Sequence, residues 1–308
     1  MAGSSKKVII AALLGNTLIA LTKFVAAAMT NSSAMLSEGI HSLVDTGNQI
    51  LLLYGLKRAQ KPADEMFPFG HGKEVYFWSF VVAILVFAVG AGVSMYEGVL
   101  RLREPQQLEN VAINYVVLGM ALLFEGGAWL FALREFSRQK GEAGYLQAVR
   151  RAKDPSVFVV LFEDSAAMLG LIVALLATLA GQLTGNLYFD GAASIIIGLI
   201  LAATAIWLAY ETKGLLIGER ASREVIEGIR AIVDEVADVK HVNEIATMHM
   251  GPDFVLANLS LDFVDNIPSQ VVEETITRIT GQIKEAYPVV KRVFIEIESW
   301  LNHTPGKT

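Results

Sequence analysis

The stretch GIHSLVDTGN, residues 39–48, places a histidine and an aspartate inside an otherwise apolar run. Glu38, His41 and Asp45 follow the spacing i, i+3 and i+7, which brings three ionisable side chains onto one helical face. An ionised group at the centre of a membrane-spanning helix costs about 2.5–3.5 kcal/mol on insertion scales, so such groups usually face a protein interior. The stretch therefore predicts a buried polar site within a helix bundle.

A second ionisable pair lies in VVLFEDSAAM, residues 159–168, where Glu163 and Asp164 are adjacent. On a helix, neighbouring side chains point roughly 100° apart, so the pair cannot face one point squarely. The chain contains no cysteine, which leaves His, Asp and Glu as possible metal ligands. Imidazole and carboxylate groups suit a divalent cation such as Zn²⁺. The two segments together predict a cation site.

Single residues of this set also have simpler interpretations. His41 alone could form an interhelical hydrogen bond, and Glu38 could be a solvated residue at the mouth of a site. Asp190, near a predicted membrane boundary, favours a capping or interfacial role over metal binding. Glu125, beside two glycines, could close an interhelical hydrogen bond as a protonated acid. The combination of aligned groups on two segments favours a cation site nevertheless.

Composition indicates a membrane domain joined to a second, more polar domain. Hydrophobic residues make up 53% and charged residues 18%, below the soluble norm of about 25%. Six apolar stretches are each long enough for the roughly 30 Å hydrocarbon core. They predict a six-span domain over 1–215, with spans near 8–29, 34–56, 76–100, 111–134, 157–182 and 188–211. The net charge of −6 and the lack of a basic patch argue against a nucleic-acid partner.

The distribution of Lys and Arg predicts the topology. Basic residues concentrate at the N-terminus and in the connections after spans two and four, whereas Arg101 and Arg103 lie on the opposite side. The positive-inside tendency then places both termini in the cytoplasm. We expect the apolar N-terminal run to be a retained span rather than a cleaved signal. The lack of an Arg- and Ser-rich presequence favours a bacterial inner membrane.

The last ninety or so residues change pattern and predict a small cytoplasmic α+β domain over 216–308. SREVIEGIRAIVDEVADV, residues 222–239, is typical of an amphipathic helix with Ser222 as its N-cap. Two alternating segments follow, separated by the turn GPD at 251–253, and then a second helix and a third strand. The predicted order is αββαβ, a ferredoxin-like arrangement.

Two motifs carry a resemblance to a known family. NSSAMLSEGIHSLVDTGNQ, residues 31–49, and KPADEMFPFGHGKEVYFWS, residues 61–79, resemble the cation diffusion facilitator family of divalent-metal transporters. LLIGERAS at 215–222, with the EDSAAMLG stretch, resembles its zinc transporter-nine-like branch. The resemblance covers nearly the whole chain and implies a proton-coupled antiporter that works as a homodimer.

The resemblance also implies a tetrahedral transport site, with two ligands from span two and two from span five. His41, Asp45 and Asp164 match ligand positions, but Val160 stands where the fourth ligand is expected. Glu163, Glu38 or water would then complete the site. Such an oxygen-rich site makes Mn²⁺, Fe²⁺, Co²⁺ and Ni²⁺ plausible cargo beside Zn²⁺.

Further family positions lie outside the spans. In the loop, Asp64 and His71 match a secondary metal site in which Phe67 replaces a histidine, and Lys73 could pair with Glu219. In the C-terminal domain His241 matches one metal position. The other positions of that cluster are Asn258, Glu273, Glu296 and Glu298, which favours a dimerisation domain over a zinc sensor. His249 could be an adventitious ligand, and we expect His303 to be solvated.

The predicted function is efflux of a divalent cation, with Zn²⁺ first, from the cytoplasm in exchange for protons by alternating access. Lipid, divalent cations and protons are the expected partners. The alternative is a membrane metal receptor or assembly protein that binds metal without moving it. An intramembrane metalloenzyme is disfavoured because the sequence lacks an HExxH motif.

Overall fold

The computed structural model describes residues 2–107, 110–140, 144, 153–301 and 303. They form two compact units, one of Met1–Arg58 with Glu74–Lys213 and one of Ala59–Lys73 with Gly214–Thr308. The division after Lys213 lies close to the predicted boundary after residue 215, but the loop before Glu74 groups with the second unit. Much of the basic connection used to predict the topology, 141–143 and 145–152, lies outside the described residues.

The first unit is a bundle of long helices. Its third helical segment runs without a break from α3 through a π-helix, Val86–Ala91, into α4. The helices are α1 (Ala2–Thr30), α2 (Ser33–Ala59), α3 (Glu74–Leu85), α4 (Gly92–Arg103), α5 (Val111–Lys140), α6 (Pro155–Thr184) and α7 (Tyr188–Ile217). Their buried aliphatic side chains form a continuous core that includes Leu118, Leu171 and Leu201.

Five helical segments of the described residues are long and apolar enough to cross a membrane, so the protein is a multi-pass membrane protein. They are Leu13–Thr30, Glu74–Arg103, Val111–Arg138, Phe158–Thr184 and Tyr188–Ile217. The second predicted span, α2, has 27 residues but is not among the five. Its buried polar residues, among them Glu38, His41 and Asp45, interrupt its apolar surface. Five predicted spans are therefore supported, and six remains a prediction.

The C-terminal end of α2 is fixed to the start of α3 by an ion pair. Arg58 donates from Nη2 and Nε to Glu74 Oε1 at 2.8 and 3.1 Å. The other oxygen of Glu74 accepts a hydrogen bond from Trp78 Nε1 at 2.9 Å. The charged pair and the indole thus hold the two helices together at the chain positions that flank the loop.

A close contact between α4 and α7 depends on glycine. A Cβ at Gly98 would lie 2.6 Å from Ile195 Cγ1 and 2.8 Å from the backbone oxygen of Gly191. Side-chain atoms do not approach backbone so closely, hence the two helices can meet here only because Gly98 has no side chain. Small residues at such contacts are the usual means of close helix packing in membranes.

Replacing Gly98 with alanine is expected to lower stability by about 1–3 kcal/mol, because the new methyl group must push backbone apart. Thermal unfolding in detergent measures the loss. Gly119→Ala is the matched control, since a Cβ at Gly119 meets no atom within 4 Å. An equal melting temperature for the two variants would contradict the assigned contact.

The second unit contains a three-stranded mixed sheet in the order β1-β2-β3. The β1–β2 pair is antiparallel and the β2–β3 pair is parallel. The elements follow the order α8 (Arg223–Asp234), β1 (Val239–Gly251), β2 (Phe254–Phe263), α9 (Ser269–Ala286) and β3 (Val290–Ile297). The predicted αββαβ order is therefore confirmed, whereas the ferredoxin-like assignment remains a prediction.

One face of the sheet packs against both helices. Alternate β2 residues, such as Val255 and Leu259, are fully buried with Ile229 of α8 and Ile279 of α9. The predicted N-cap of α8 is also correct, because the Ser222 side chain accepts a hydrogen bond from the Val225 backbone N–H at 3.4 Å. The burial shows why the alternating and amphipathic patterns identified these elements.

Candidate functional site

The helix that carries His41 and Asp45 is capped by a residue of another helix. Asp190, near the start of α7, accepts hydrogen bonds from the hydroxyls of Ser32 and Ser33 at 2.5 and 2.7 Å. It also accepts from the backbone N–H groups of Ser33 and Ala34 at 2.7 and 3.3 Å. A carboxylate at a helix N-terminus satisfies free N–H groups and complements the helix dipole. Asp190 therefore has the capping role expected from the sequence.

His41 and Asp45 lie on one face of α2, as their spacing predicts. His41 Nδ1 and Asp45 Oδ1 are 3.4 Å apart, and both side chains are buried. Within the described part of the chain, neither ring nitrogen of His41 nor Asp45 Oδ1 makes a hydrogen bond. Buried polar atoms nearly always have hydrogen-bond partners, so three atoms side by side that lack them are suited to binding a cation or protons.

Helix α6 adds two carboxylates beside α2. Glu163 Oε1 accepts a hydrogen bond from Asn48 Nδ2 at 2.8 Å, while Glu163 Oε2 makes none among the described residues. Asp45 is close enough to both Glu163 and Asp164 for electrostatic repulsion between the carboxylates. The apolar Val160 is buried one turn before Asp164. Glu163 thus faces α2, where it could replace the fourth ligand that Val160 cannot provide.

A buried lysine next to this cluster binds side chains of two other helices. The Lys23 ammonium in α1 donates to Glu38 Oε2 at 3.0 Å, Ser42 Oγ at 2.9 Å and Glu125 Oε1 at 2.7 Å. Lys23 and Glu38 are fully buried and Glu125 nearly so. The ammonium has three N–H groups, and each has an oxygen partner. This network joins α1, α2 and α5.

The network corrects two readings of the sequence. Glu38 is not a solvated mouth residue, because it is fully buried, one carboxylate oxygen pairs with Lys23 and the side chain packs on Gly170 of α6. A Cβ at Gly170 would overlap Glu38 Oε1. Glu125 forms an interhelical contact, as one interpretation held, but with an ammonium. Sequence reasoning missed Lys23, although a lone lysine inside an apolar span is itself a signal.

The candidate ligands do not form a ready metal cage. Among the residues that the structure describes, no three His, Asp or Glu side chains are arranged so that they could hold a metal ion. The site is therefore a row of buried carboxylates and an imidazole shared by α2 and α6. Its unpaired atoms can accept a cation or protons.

The loop pair predicted as a secondary site does come together. His71 Nε2 and Asp64 Oδ2 are 2.9 Å apart, and Asp64 Oδ1 accepts the Phe67 backbone N–H at 2.7 Å. His71 is buried, whereas the Asp64 side chain is half exposed. Hydrogen bonds from His71 and from the Phe67 backbone lower the pKa of Asp64. The pair therefore stabilises the loop turn.

Acidification is expected to weaken this turn. Because the folded-state pKa of Asp64 is lowered, its stabilisation is complete above the ordinary aspartate pKa and is lost as pH falls through the folded value. The protection of the Phe67 amide against hydrogen exchange, relative to the Gly70 amide that bonds to a backbone oxygen, should fall over that range. Asp64→Asn should abolish the pH dependence. Unchanged relative protection in wild type would contradict the assignment.

Histidines of the C-terminal unit have partners of their own. The His241 ring packs edge-on against Trp300, with ring centroids 4.0 Å apart. His303 Nδ1 lies 2.7 Å from Glu298 Oε2, so His303 is not solvated as expected. His249 is buried, and its backbone N–H donates to the Glu219 oxygen at 2.9 Å. The His249 ring places Nδ1 3.4 Å from the Gly251 backbone oxygen.

Comparisons with known proteins agree with both units. A family model described as the cation efflux transmembrane domain matches residues 9–217, and one described as the cation efflux protein cytoplasmic domain matches 221–300. The chain is 32% identical over 284 residues to the Xenopus laevis protein named proton-coupled zinc antiporter SLC30A9, mitochondrial, covering 91% of this chain and 51% of that one.

Two further relatives differ in name and length. Metal tolerance protein C4 of Arabidopsis thaliana is 31% identical over 288 residues, which cover 90% of this chain and 60% of that protein. The manganese efflux system protein MneP of Bacillus subtilis is 21% identical over 296 residues, 96% of each chain. The chain spans about half the length of the SLC30A9 relatives it matches.

Proposed function

The chain belongs to the cation efflux family, also called the cation diffusion facilitator family, and from this premise we propose that it exports divalent metal cations in exchange for protons. Relatives named as a zinc antiporter and as a manganese efflux protein support a transporter rather than an enzyme. The observation that carries the proposal is the row of buried, unpaired His41 and Asp45 atoms facing further carboxylates.

The proposed ligands are His41 and Asp45 from α2 with Asp164 and Glu163 from α6. Glu163 takes the place that Val160 leaves open, since Asn48 holds its carboxylate against α2 and one oxygen is unpaired. Glu38 is not included among the proposed ligands because one of its carboxylate oxygens pairs with Lys23. Metal binding would draw the four side chains together.

Metal and protons compete for this ligand set. Ligation needs a neutral imidazole and ionised carboxylates, so binding releases protons and protonation releases metal. A site open to a more acidic compartment therefore unloads, and a site open to a neutral cytoplasm reloads. Zn²⁺ is the proposed first cargo, but three carboxylates and one imidazole also accept Mn²⁺, Fe²⁺, Co²⁺ or Ni²⁺. Alternating access between the two openings completes the cycle.

The remaining features of the proposal concern assembly and orientation. We place six spans in the membrane, with α2 held inside the bundle by its polar contacts, and both termini in the cytoplasm. The match to the cytoplasmic domain of the family supports a homodimer. Asp64 and His71 form a weak secondary cation site in this proposal, and we assign no metal to His241. A bacterial inner membrane remains our expectation, although the SLC30A9 relatives are named as mitochondrial.

Purified protein in liposomes under an imposed pH gradient tests the function. We expect Zn²⁺ to move against the proton flow, detected by a trapped fluorescent indicator, and His41→Ala to abolish the movement. A panel of Zn²⁺, Mn²⁺, Co²⁺ and Ni²⁺ ranks the cargo. Equal metal flux in wild type and His41→Ala would refute the proposal. Metal binding without flux would instead identify a receptor or assembly protein.

A further inference from the structure

The buried Lys23 network holds one positive charge against two negative ones. The Lys23 ammonium lies 3.0 Å from Glu38 Oε2 and 2.7 Å from Glu125 Oε1. One ammonium neutralises one carboxylate. The second carboxylate is then a surplus charge in a site away from water, which is costly unless another cation or a proton compensates it.

The carboxylates keep one oxygen each for such a cation. Glu38 Oε1 and Glu125 Oε2 are buried and make no hydrogen bond among the described residues. The three N–H groups of Lys23 are all used, so the ammonium cannot satisfy these oxygens as well. A proton on either acid would remove the surplus charge.

The network lies beside the proposed metal ligands without containing one. Glu125 is within electrostatic range of both Asp45 and Asp164. Among the described residues, the charged and titratable groups in the network and beside it are Lys23 on α1, Glu38, His41 and Asp45 on α2, Glu125 on α5, and Glu163 and Asp164 on α6. A divalent cation arriving among the ligands therefore compensates the same surplus charge that a proton otherwise compensates.

We propose that Glu38 and Glu125, bridged by Lys23, bind one exchangeable proton at a site separate from the metal ligands, and that arriving metal displaces it. The O–H bond of one carboxylic acid breaks, the carboxylate forms, and the proton leaves to water as the cation binds. This inference rests on the proposed function, because it assigns a proton-binding site to the same transport cycle. Lys23 is a positioning residue in it, and the metal ligands release their own protons in addition.

Calorimetric titration of the full-length protein with Zn²⁺ tests the proposal. Measurements at one pH in buffers of different ionisation enthalpy give the number of protons released per metal. Glu125→Gln leaves a neutral Lys23–Glu38 pair, and Glu38→Gln leaves a neutral Lys23–Glu125 pair. Both variants are isosteric and are expected to release about one proton fewer per Zn²⁺ than wild type while still binding Zn²⁺.

A double variant supplies the matched control. Lys23→Met combined with Glu38→Gln removes the ammonium and one carboxylate, so Glu125 is again a surplus acid. We expect the proton count to return to the wild-type value, whereas a purely structural ion pair would give the same count in every variant. Circular dichroism and thermal unfolding of each variant show that the protein titrated is folded.

Two results would overturn the inference. An unchanged proton count in both single variants shows that the network exchanges no proton. Loss of Zn²⁺ binding in folded Glu125→Gln shows that Glu125 is a metal ligand. Neither result touches the proposed function, which fails separately when wild-type protein moves no metal in liposomes.

Discussion

Replacing Asp45 with asparagine is expected to weaken Zn²⁺ binding by more than about 100-fold. Losing a residue that only hydrogen-bonds to a metal ligand typically costs roughly 10–100-fold in affinity, and Asp45 is proposed as a ligand itself. Asparagine has nearly the same shape, so the packing of α2 is preserved. It lacks, however, the negative charge that Asp45 contributes to the proposed cation site beside Glu163 and Asp164. The metal content of the purified protein and calorimetric titration measure the loss of affinity. Zn²⁺ flux driven by a pH gradient should be lost as well.

Asp190→Asn is the matched control, since it is the same change at another buried aspartate in the helix bundle. Asp190 caps α2 and is not a proposed ligand. The control variant should melt at a lower temperature but retain the Zn²⁺ affinity of wild type. Equal loss of affinity in both variants would mean that Asp45 acts through helix stability and not as a ligand.

Replacing Lys23 with methionine is expected to destabilise the protein by about 3–5 kcal/mol, the usual cost of removing one partner from a buried ion pair. Two carboxylates and Ser42 would lose their shared donor in a fully buried site. Thermal or denaturant unfolding in detergent measures the loss. Lys57→Met, at an exposed position of α2, is the same substitution and should change stability by about 0.5 kcal/mol or less.

Adding Glu38→Gln to Lys23→Met should recover part of the lost stability, because it removes one of the stranded charges. A Lys23→Met variant as stable as wild type would contradict the buried network. So would a double variant less stable than Lys23→Met alone, since the second substitution would then have no stranded charge to remove. The stabilities of the single and double variants therefore test the contacts between Lys23 and the carboxylates, and not only the presence of a lysine.

Local patterns predicted the parts of the fold that depend on neighbours in the chain. Alternating apolar residues identified β2, and the 3.6-residue repeat with a serine cap identified α8. The common face of His41 and Asp45 likewise follows from helical spacing alone. These features are set by interactions within one element, which a single sequence contains in full.

The rest depended on contacts between distant elements. Lys23 meets Glu125 across 102 positions of sequence, and nothing near Lys23 in the chain announces that partner. The sequence likewise does not show which neighbouring helix Glu163 faces, because this depends on its hydrogen bond with Asn48 of α2. The spacing of Glu38 shows which face of α2 its side chain occupies, but not that Lys23 lies opposite it.

The cap at Asp190 and the Arg58–Glu74 pair together constrain how α2 can move. The first turn of α2 is tied to α7 and its last turn to α3, while α6 meets it through the Asn48–Glu163 hydrogen bond. Sliding α2 alone breaks the contacts at both ends, whereas moving it with α3 and α7 breaks neither. The ligand helix is thus held to α3 and α7 at its two ends, and within the described residues its hydrogen bond to α6 is the one from Asn48 to Glu163.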